Sequence, residues 1–356
     1  MASQDASPAK FDRAMKQIYK YDLNSSSPWT VPPCSAGHRG RYLWTDAFGV
    51  VNFLTLYRQT ESDRYLEYAK SLVDAVHNSL GRTRDGKSFL PGASPDNPMG
   101  GGLRIGKEEE SGPDEDGQYH HYLTLWMFAL NRLSIATTDR SYNNQAIALA
   151  KAIHPRFVYN RGSNRPRMYW KMSMDLSEPL VRSEGNLDPM DGYVVFRLLQ
   201  STGGDSQMLA NEIGEYEKIV RTKWQGYSST DPLDLGMSLW TVHWFSGEEW
   251  ADGILESAVR DLKRLFKLGG FEGPQQRRLA FRDFGTCLGI ECSTTGTAWR
   301  SRAKSITDSW EHGGLVPVRS DNAVSVGMNA EDELTPINTV MYAAALIPGA
   351  FKRDFF

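Results

Sequence analysis

Apolar residues recur every three to four positions along most of this chain, and the recurrences are of two kinds that alternate. In one kind a single apolar stripe runs between charges. Lys10–Tyr21 carries Phe11, Met15, Ile18 and Tyr19 in this way, and Arg64–Leu80 carries Leu66, Ala69, Leu72, Val73 and Val76. Ser141–Ile153, Ser206–Thr222, Ala251–Phe266 and Thr297–His312 follow the same rule. In the other kind nearly every position is apolar or small: Tyr42–Tyr57, Gln118–Ser134, Pro189–Gln200, Pro232–Phe245, Phe284–Cys292 and Pro336–Ile347. A striped helix covers a core from outside, whereas one that is apolar all round is packed on every side. The pattern therefore predicts an outer and an inner set, six of each, repeating as helical hairpins.

Connection lengths orient the hairpins. Inner-to-outer connections are short (TTDRS, STGGD, SGEEW), while the outer-to-inner stretches Asn78–Gly117, Pro155–Asp188, Lys267–Asp283 and Gly313–Thr335 are long. All the long loops then lie where inner helices begin, and the working mouth is expected there, covered by 81–117, 155–187 and 313–335. Alternating segments at Arg167–Leu176 and Arg277–Phe284 predict short β-hairpins over that mouth. Six hairpins in two rings close into an all-α (α/α)6 toroid, read as one domain over residues 1–356 with 1–9 a disordered tail.

Composition narrows the partners. With 356 residues, 40% of them hydrophobic and 23% charged, the chain can bury a large core. A net charge of -3 provides no basic footprint for nucleic acid or an acidic membrane surface. Three cysteines without CxxC or CxxH spacing predict neither a disulfide framework nor a structural metal. No signal-like leader or apolar span is legible, so a cytoplasmic protein is expected.

The candidate chemistry lies at inner-helix starts. Asp188-Pro189-Met190-Asp191, Asp231-Pro232-Leu233-Asp234 and Thr335-Pro336-Ile337-Asn338 each read as a polar N-cap followed by proline at the first helical position. Asp46 follows the cationic run His38, Arg39 and Arg41, and Asp116 immediately precedes the fourth helix. Convergent helix N-termini favour anionic or hydroxyl-rich ligands and keep nearby carboxylates ionised. Asp46, Asp116, Asp188, Asp191 and Asp283 are thus candidate carboxylates; the plainer alternative is capping for Asp188 and Asp191, a capping carboxylate with an arginine partner for Asp46, and for the acidic run that ends at Asp116 a solvated loop. The adjacent His120 and His121 project about 100° apart on a helix, which excludes a joint metal site. His121 falls on the more polar, lumen side, and His120 between helices. Arg39, Arg41, Trp44, Tyr119, His120, Trp170, Trp240, Arg282, Asp283 and Asn338 complete the candidate binding set, the aromatics as platforms for a sugar ring or as filling of the toroid centre.

The phrases GRYLWTDAFG, DGQYHHYLTLWMFALNRL and YWKMSMDLSEPLVRSEGNLDPMDGY resemble the six-hairpin glycosidase-like superfamily. Acylglucosamine epimerases and unsaturated glucuronyl hydrolases belong to it. The resemblance implies a cofactor-independent enzyme with a small sugar or sugar-like substrate. A glycoside-type hydrolase working with mouth carboxylates is the first expectation. A sugar epimerase or isomerase using His121 and His243 is the second. A cyclase or lyase acting on an apolar metabolite, and a non-catalytic binding toroid, remain open. Asp46 and His121 are expected to keep their side chains for the ligand, and Trp44, Trp170 and Tyr119 to line the cleft with partly exposed rings.

Overall fold

A computed structural model describes residues 7–33, 40–110, 112, 115–293, 296–314 and 334–356. Twelve α-helices dominate these described residues, which divide into two compact units.

The first unit, residues 33–223 with Phe356, holds three hairpins: α2 (Leu43–Thr60) with α3 (Asp63–Leu80), α4 (His120–Thr137) with α5 (Arg140–Phe157), and α6 (Asp188–Gly203) with α7 (Ala210–Lys223). Helix α4 packs on both α2 and α6, so α2, α4 and α6 are the inner helices. Every residue of α2 from Leu43 to Leu56 is buried, as its nearly unbroken apolar run requires. In α3 burial is confined to the stripe Tyr65, Tyr68, Ala69, Leu72, Val73, Val76 and Leu80.

The second unit, residues 1–32 and 224–355, holds α1 (Ser7–Tyr19), α8 (Pro232–His243), α9 (Glu249–Lys267), α10 (Ala280–Cys292), α11 (Thr297–His312) and α12 (Thr335–Leu346). Here α10 lies between α8 and α12, with α9 on α8, α11 on α10 and α1 on α12. The contact of α8 with α10 is made backbone to backbone: a Cβ on Gly236 would collide with the Gly285 carbonyl, and one on Gly289 with the Gly236 carbonyl. Glycine is what permits this approach.

Strands occur in the long connections. β1 (Gln118–Tyr119), β4 (Lys171–Met172) and β5 (Pro179–Val181) form an antiparallel sheet in which Gln118 pairs with Met172 and Tyr119 with Lys171. β2 (Val158–Tyr159) pairs with β3 (Arg167–Met168). The long connections are tied to helix starts, the Leu43 amide donating to the Ile105 carbonyl of 81–117 at 3.0 Å and the His120 amide to the Trp170 carbonyl of 155–187 at 3.0 Å.

Several boundaries depart from expectation. Arg277–Phe284 is not a strand: α10 begins at Ala280, so its Phe281, Arg282, Asp283 and Phe284 are helical. Alternation over a few residues is compatible with a buried helix turn, and the contacts of α10 decide between them. Helix α5 runs through Pro155 to Phe157, because near a C-terminus the missing N–H of proline removes only one bond. Asp188 and Thr335 stand inside α6 and α12 with Leu187 and Leu334 at the N-cap. Only Asp231 uses the expected device, accepting from the amides of Leu233 at 2.8 Å and Asp234 at 3.2 Å. Residues 315–333 of the expected covering loop lie outside the described residues.

Candidate functional site

In the first unit the starts of α4 and α6 meet through His121 and Asp191, whose Nδ1 and Oδ2 are 2.5 Å apart. Asp191 is in the first turn of α6 and is 2% exposed; His121 is 5% exposed. A carboxylate on Nδ1 fixes which imidazole nitrogen carries the proton and stabilises the protonated ring. Around the pair stand aromatic rings. The Trp44 ring meets His121 nearly edge-on at 5.3 Å and stacks on Tyr122 at 5.1 Å. Tyr119 lies 4.4 Å from Tyr122, and Trp170 lies 4.8 Å from Tyr119. Trp44 is only 3% exposed, while Tyr119, Tyr122 and Trp170 are partly exposed. The expected partial exposure therefore holds for Tyr119 and Trp170 and not for Trp44. Tyr122 was not legible as a site residue, although the run Tyr119-His120-His121-Tyr122 contains it.

Behind this group His120 turns toward α7. Its Nε2 is 2.6 Å from the Tyr216 hydroxyl, and its Nδ1 is 3.6 Å from Asp188 Oδ1. His120 is fully buried, so it stands between helices and not at an open surface.

Two candidate carboxylates hold structure. Asp46, in the first turn of α2 and fully buried, accepts from Arg41 Nε at 2.8 Å, so its carboxylate is held by an arginine, whereas His121 is engaged by Asp191 through Nδ1 alone. Asp116 does not cap α4. Its Oδ1 accepts from the amides of Gly106, Lys107 and Gly117 at 2.9, 3.2 and 3.0 Å, and its Oδ2 is 3.0 Å from Arg104 and 3.3 Å from Arg84. Its carboxylate is the knot of the 104–117 loop. Arg39 and His38 lie outside the described residues.

The second unit has its own cluster at helix starts. Arg282 on α10 forms an ion pair with Asp231, the α8 cap. Asn338 on α12 accepts from the Phe281 amide at 2.9 Å. Asp283 is buried, and Arg278 and the Trp310 indole, at 2.8 Å, donate to it; burial nonetheless raises its pKa above the ordinary carboxylate value. Trp240 is core: its indole donates to the Phe351 carbonyl at 3.0 Å. His243 ends α8 at the opposite end from Asp231. One of its nitrogens meets the Trp240 carbonyl and the other accepts from the Arg353 amide at 3.2 Å, so both ring positions serve the main chain. It borders a cavity of about 370 Å³ with Val242, Cys292 and Phe355.

Among the described residues no group of three or more His, Cys, Asp and Glu side chains could hold a metal ion. No helix among them is long and apolar enough to cross a membrane.

No protein-family model matches the sequence, and a search of curated proteins finds no match. Solved structures do match in fold. An α-mannanase of glycoside hydrolase family 76 from Bacteroides thetaiotaomicron aligns with a TM-score of 0.59 at 11% identity, over 97% of this chain and 96% of that one. A D-mannose isomerase aligns with a TM-score of 0.55 at 12% identity, over 87% and 86%. The cellobiose 2-epimerase of Spirochaeta thermophila aligns with a TM-score of 0.54 at 12% identity, over 96% and 98%. Twelve helices among the described residues, in alternating inner and outer roles, together with these alignments over nearly the whole chain, identify the fold as all-α with (α/α)6 architecture.

Proposed function

We propose that the chain is a carbohydrate-active enzyme that moves a proton with the His121–Asp191 pair, as a sugar isomerase or epimerase does. The observation that carries this reading is the 2.5 Å contact of His121 Nδ1 with Asp191 inside an aromatic enclosure. With Nδ1 committed to the carboxylate, Nε2 is the nitrogen for substrate chemistry. As a base it removes the proton from the carbon beside a sugar carbonyl, and Asp191 offsets the charge that the ring acquires. Returned to the neighbouring carbon the proton gives the aldose–ketose isomer; returned to the other face of the same carbon it gives the epimer. Tyr119 and Trp170 offer apolar faces to the C–H side of a sugar ring. The likeness in fold to an isomerase and an epimerase of sugars is consistent with this.

Hydrolysis is the second reading. It is favoured by the fold likeness to the family 76 α-mannanase and by Asp188 and Asp191 sharing one turn of α6. One experiment separates the two. The protein is incubated in deuterium oxide with D-mannose, cellobiose and α-mannan oligosaccharides. Deuterium on the carbon beside the carbonyl supports proton transfer, whereas new reducing ends without carbon-bound deuterium support hydrolysis. His121→Gln keeps an N–H toward Asp191, so it is expected to lower turnover by about 10²–10⁴-fold while moving stability by about 1 kcal/mol. Undiminished turnover by that variant removes the proposal.

A further inference from the structure

We propose that the outward face of α9 is a docking surface for an anionic lipid bilayer, held by a row of cations and one exposed leucine, independently of the His121–Asp191 chemistry. The net charge of -3 averages over this row and hides it.

Arg260, Lys263, Arg264 and Lys267 are spaced so that each has another cation three positions away and another four positions away. On a helix this gathers them within an arc of about 100°, opposite the buried Ile254, Ala258 and Leu262. All four are exposed. Arg260 reaches Asp261 at 3.1 Å, and Asp261 is also bound by the Ser228 hydroxyl at 2.7 Å and the Ser229 amide at 3.1 Å. Lys263, Arg264 and Lys267 make no ion pair among the described residues. Other outer helices are built differently: Lys70 pairs with Glu67 on α3 at 2.8 Å, Arg221 with Glu217 on α7 at 2.7 Å, and Lys304 with Asp308 on α11 at 2.7 Å. Like charges at these spacings destabilise a helix. The helix dipole accounts for Arg264 and Lys267, which lie in the last turn, but its effect does not extend to Arg260 and Lys263. A counter-charge from outside the chain relieves the repulsion.

The end of the row carries an apolar group. Leu268 follows Lys267 and is 72% exposed. It is held out by the turn that closes α9: the Gly270 amide donates to the Leu265 carbonyl at 3.0 Å and the Gly269 amide to the Phe266 carbonyl at 3.1 Å, with Gly269 at φ +71°. That turn folds Phe271 back onto Phe266, ring centroids 4.5 Å apart, and leaves Leu268 outside. On the flank, exposed Arg302 of α11 lies over the Phe266 ring at 5.0 Å and adds a further cation. Headgroup phosphates match the cations and the acyl boundary matches the leucine, whereas nucleic acid phosphates offer the leucine nothing. Glu249 and Glu256, exposed at the other end of the same face, are repelled by such a surface, so α9 meets it tilted, with Leu268 foremost.

The test is flotation of the full chain with vesicles of phosphatidylserine and phosphatidylcholine, against vesicles of phosphatidylcholine alone, over a range of salt concentrations. Binding should be weak, reversible, confined to the anionic vesicles and reduced by salt. Each cation near an anionic surface contributes about fivefold in binding, so Lys263→Glu combined with Lys267→Glu should weaken it by about 25-fold or more. These side chains are exposed, and the double variant should melt no earlier than the wild type because like-charge repulsion is relieved. Leu268→Ser should weaken binding without changing its salt dependence, since it removes no charge. Equal binding to both kinds of vesicle, or wild-type binding by the double variant, overturns the proposal. Retention of the chain by duplex DNA without flotation on anionic vesicles also overturns it and assigns the row to nucleic acid. None of these readouts involves turnover, so loss of the proposed function leaves the result standing.

Discussion

At the scale of single residues, similar polar side chains at helix starts have separated into different tasks. Asp46 and Asp191 both sit in the first turn of an inner helix. Asp46 is closed off by Arg41, whereas Asp191 holds an imidazole beside aromatic rings. Removing one charge of a buried pair leaves the other uncompensated, which costs about 3–5 kcal/mol. Asp46→Asn is accordingly expected to lower the urea midpoint of unfolding steeply, with any activity per folded molecule unchanged. A variant that unfolds like the wild type but is inactive would return Asp46 to the site. His121→Gln should behave in the opposite way.

At the scale of helices, glycine separates packing from propensity. Gly236 and Gly289 let α8 and α10 touch backbone to backbone, and a methyl there meets carbonyl groups that cannot move independently. Gly236→Ala is expected to destabilise the chain by about 2 kcal/mol or more, the cost of overpacking. Gly214 lies within α7 with nothing near its absent Cβ. There Gly214→Ala should stabilise by about 0.5–1 kcal/mol, since alanine loses less backbone entropy in a helix. Thermal melts of the two variants moving in the same direction would contradict this packing account. The same logic explains α10, where helical contacts prevail over an alternating pattern in Arg277–Phe284.

At the scale of the whole molecule, buried imidazoles set the response to acid. Burial pushes the pKa values of His77, His154 and His243 down to about 4, in His154 against the pull of the Glu215 carboxylate. In the unfolded chain each titrates near the ordinary 6.5. Between these values the unfolded state binds more protons, so stability is fully present above about pH 6.5 and falls as pH drops toward about 4. For His154, which is fully buried, the loss between about pH 7 and pH 5 is about 2 kcal/mol. Urea unfolding at the two pH values should show this loss, and His154→Gln should reduce it. An equal loss in that variant would place the sensitivity elsewhere.

The hydrophobic period alone determined that the described residues form helices of two kinds, because the stripe of Arg64–Leu80 and the nearly unbroken apolar run of Tyr42–Tyr57 each permit only one degree of burial. Loop lengths indicated which helix ends carry the elaborated connections, and Asp191, His121, Tyr119 and Trp170 were legible as polar and aromatic groups at those ends. What the sequence could not decide was partnership. Asp46, Asp116, Asp188 and Asp191 look alike in one dimension, since each is an aspartate at a helix entry. The arginine beside the first was legible in the cationic run before it, but only folding brings three loop amides to the second, His120 near the third and His121 to the fourth. Tyr216 was hidden for the same reason: its place on an outer helix reads as core until α6 and α4 close over it. The direction of a side chain follows from local geometry, but what it meets depends on residues tens of positions away, and contacts over that distance are made by the tertiary structure.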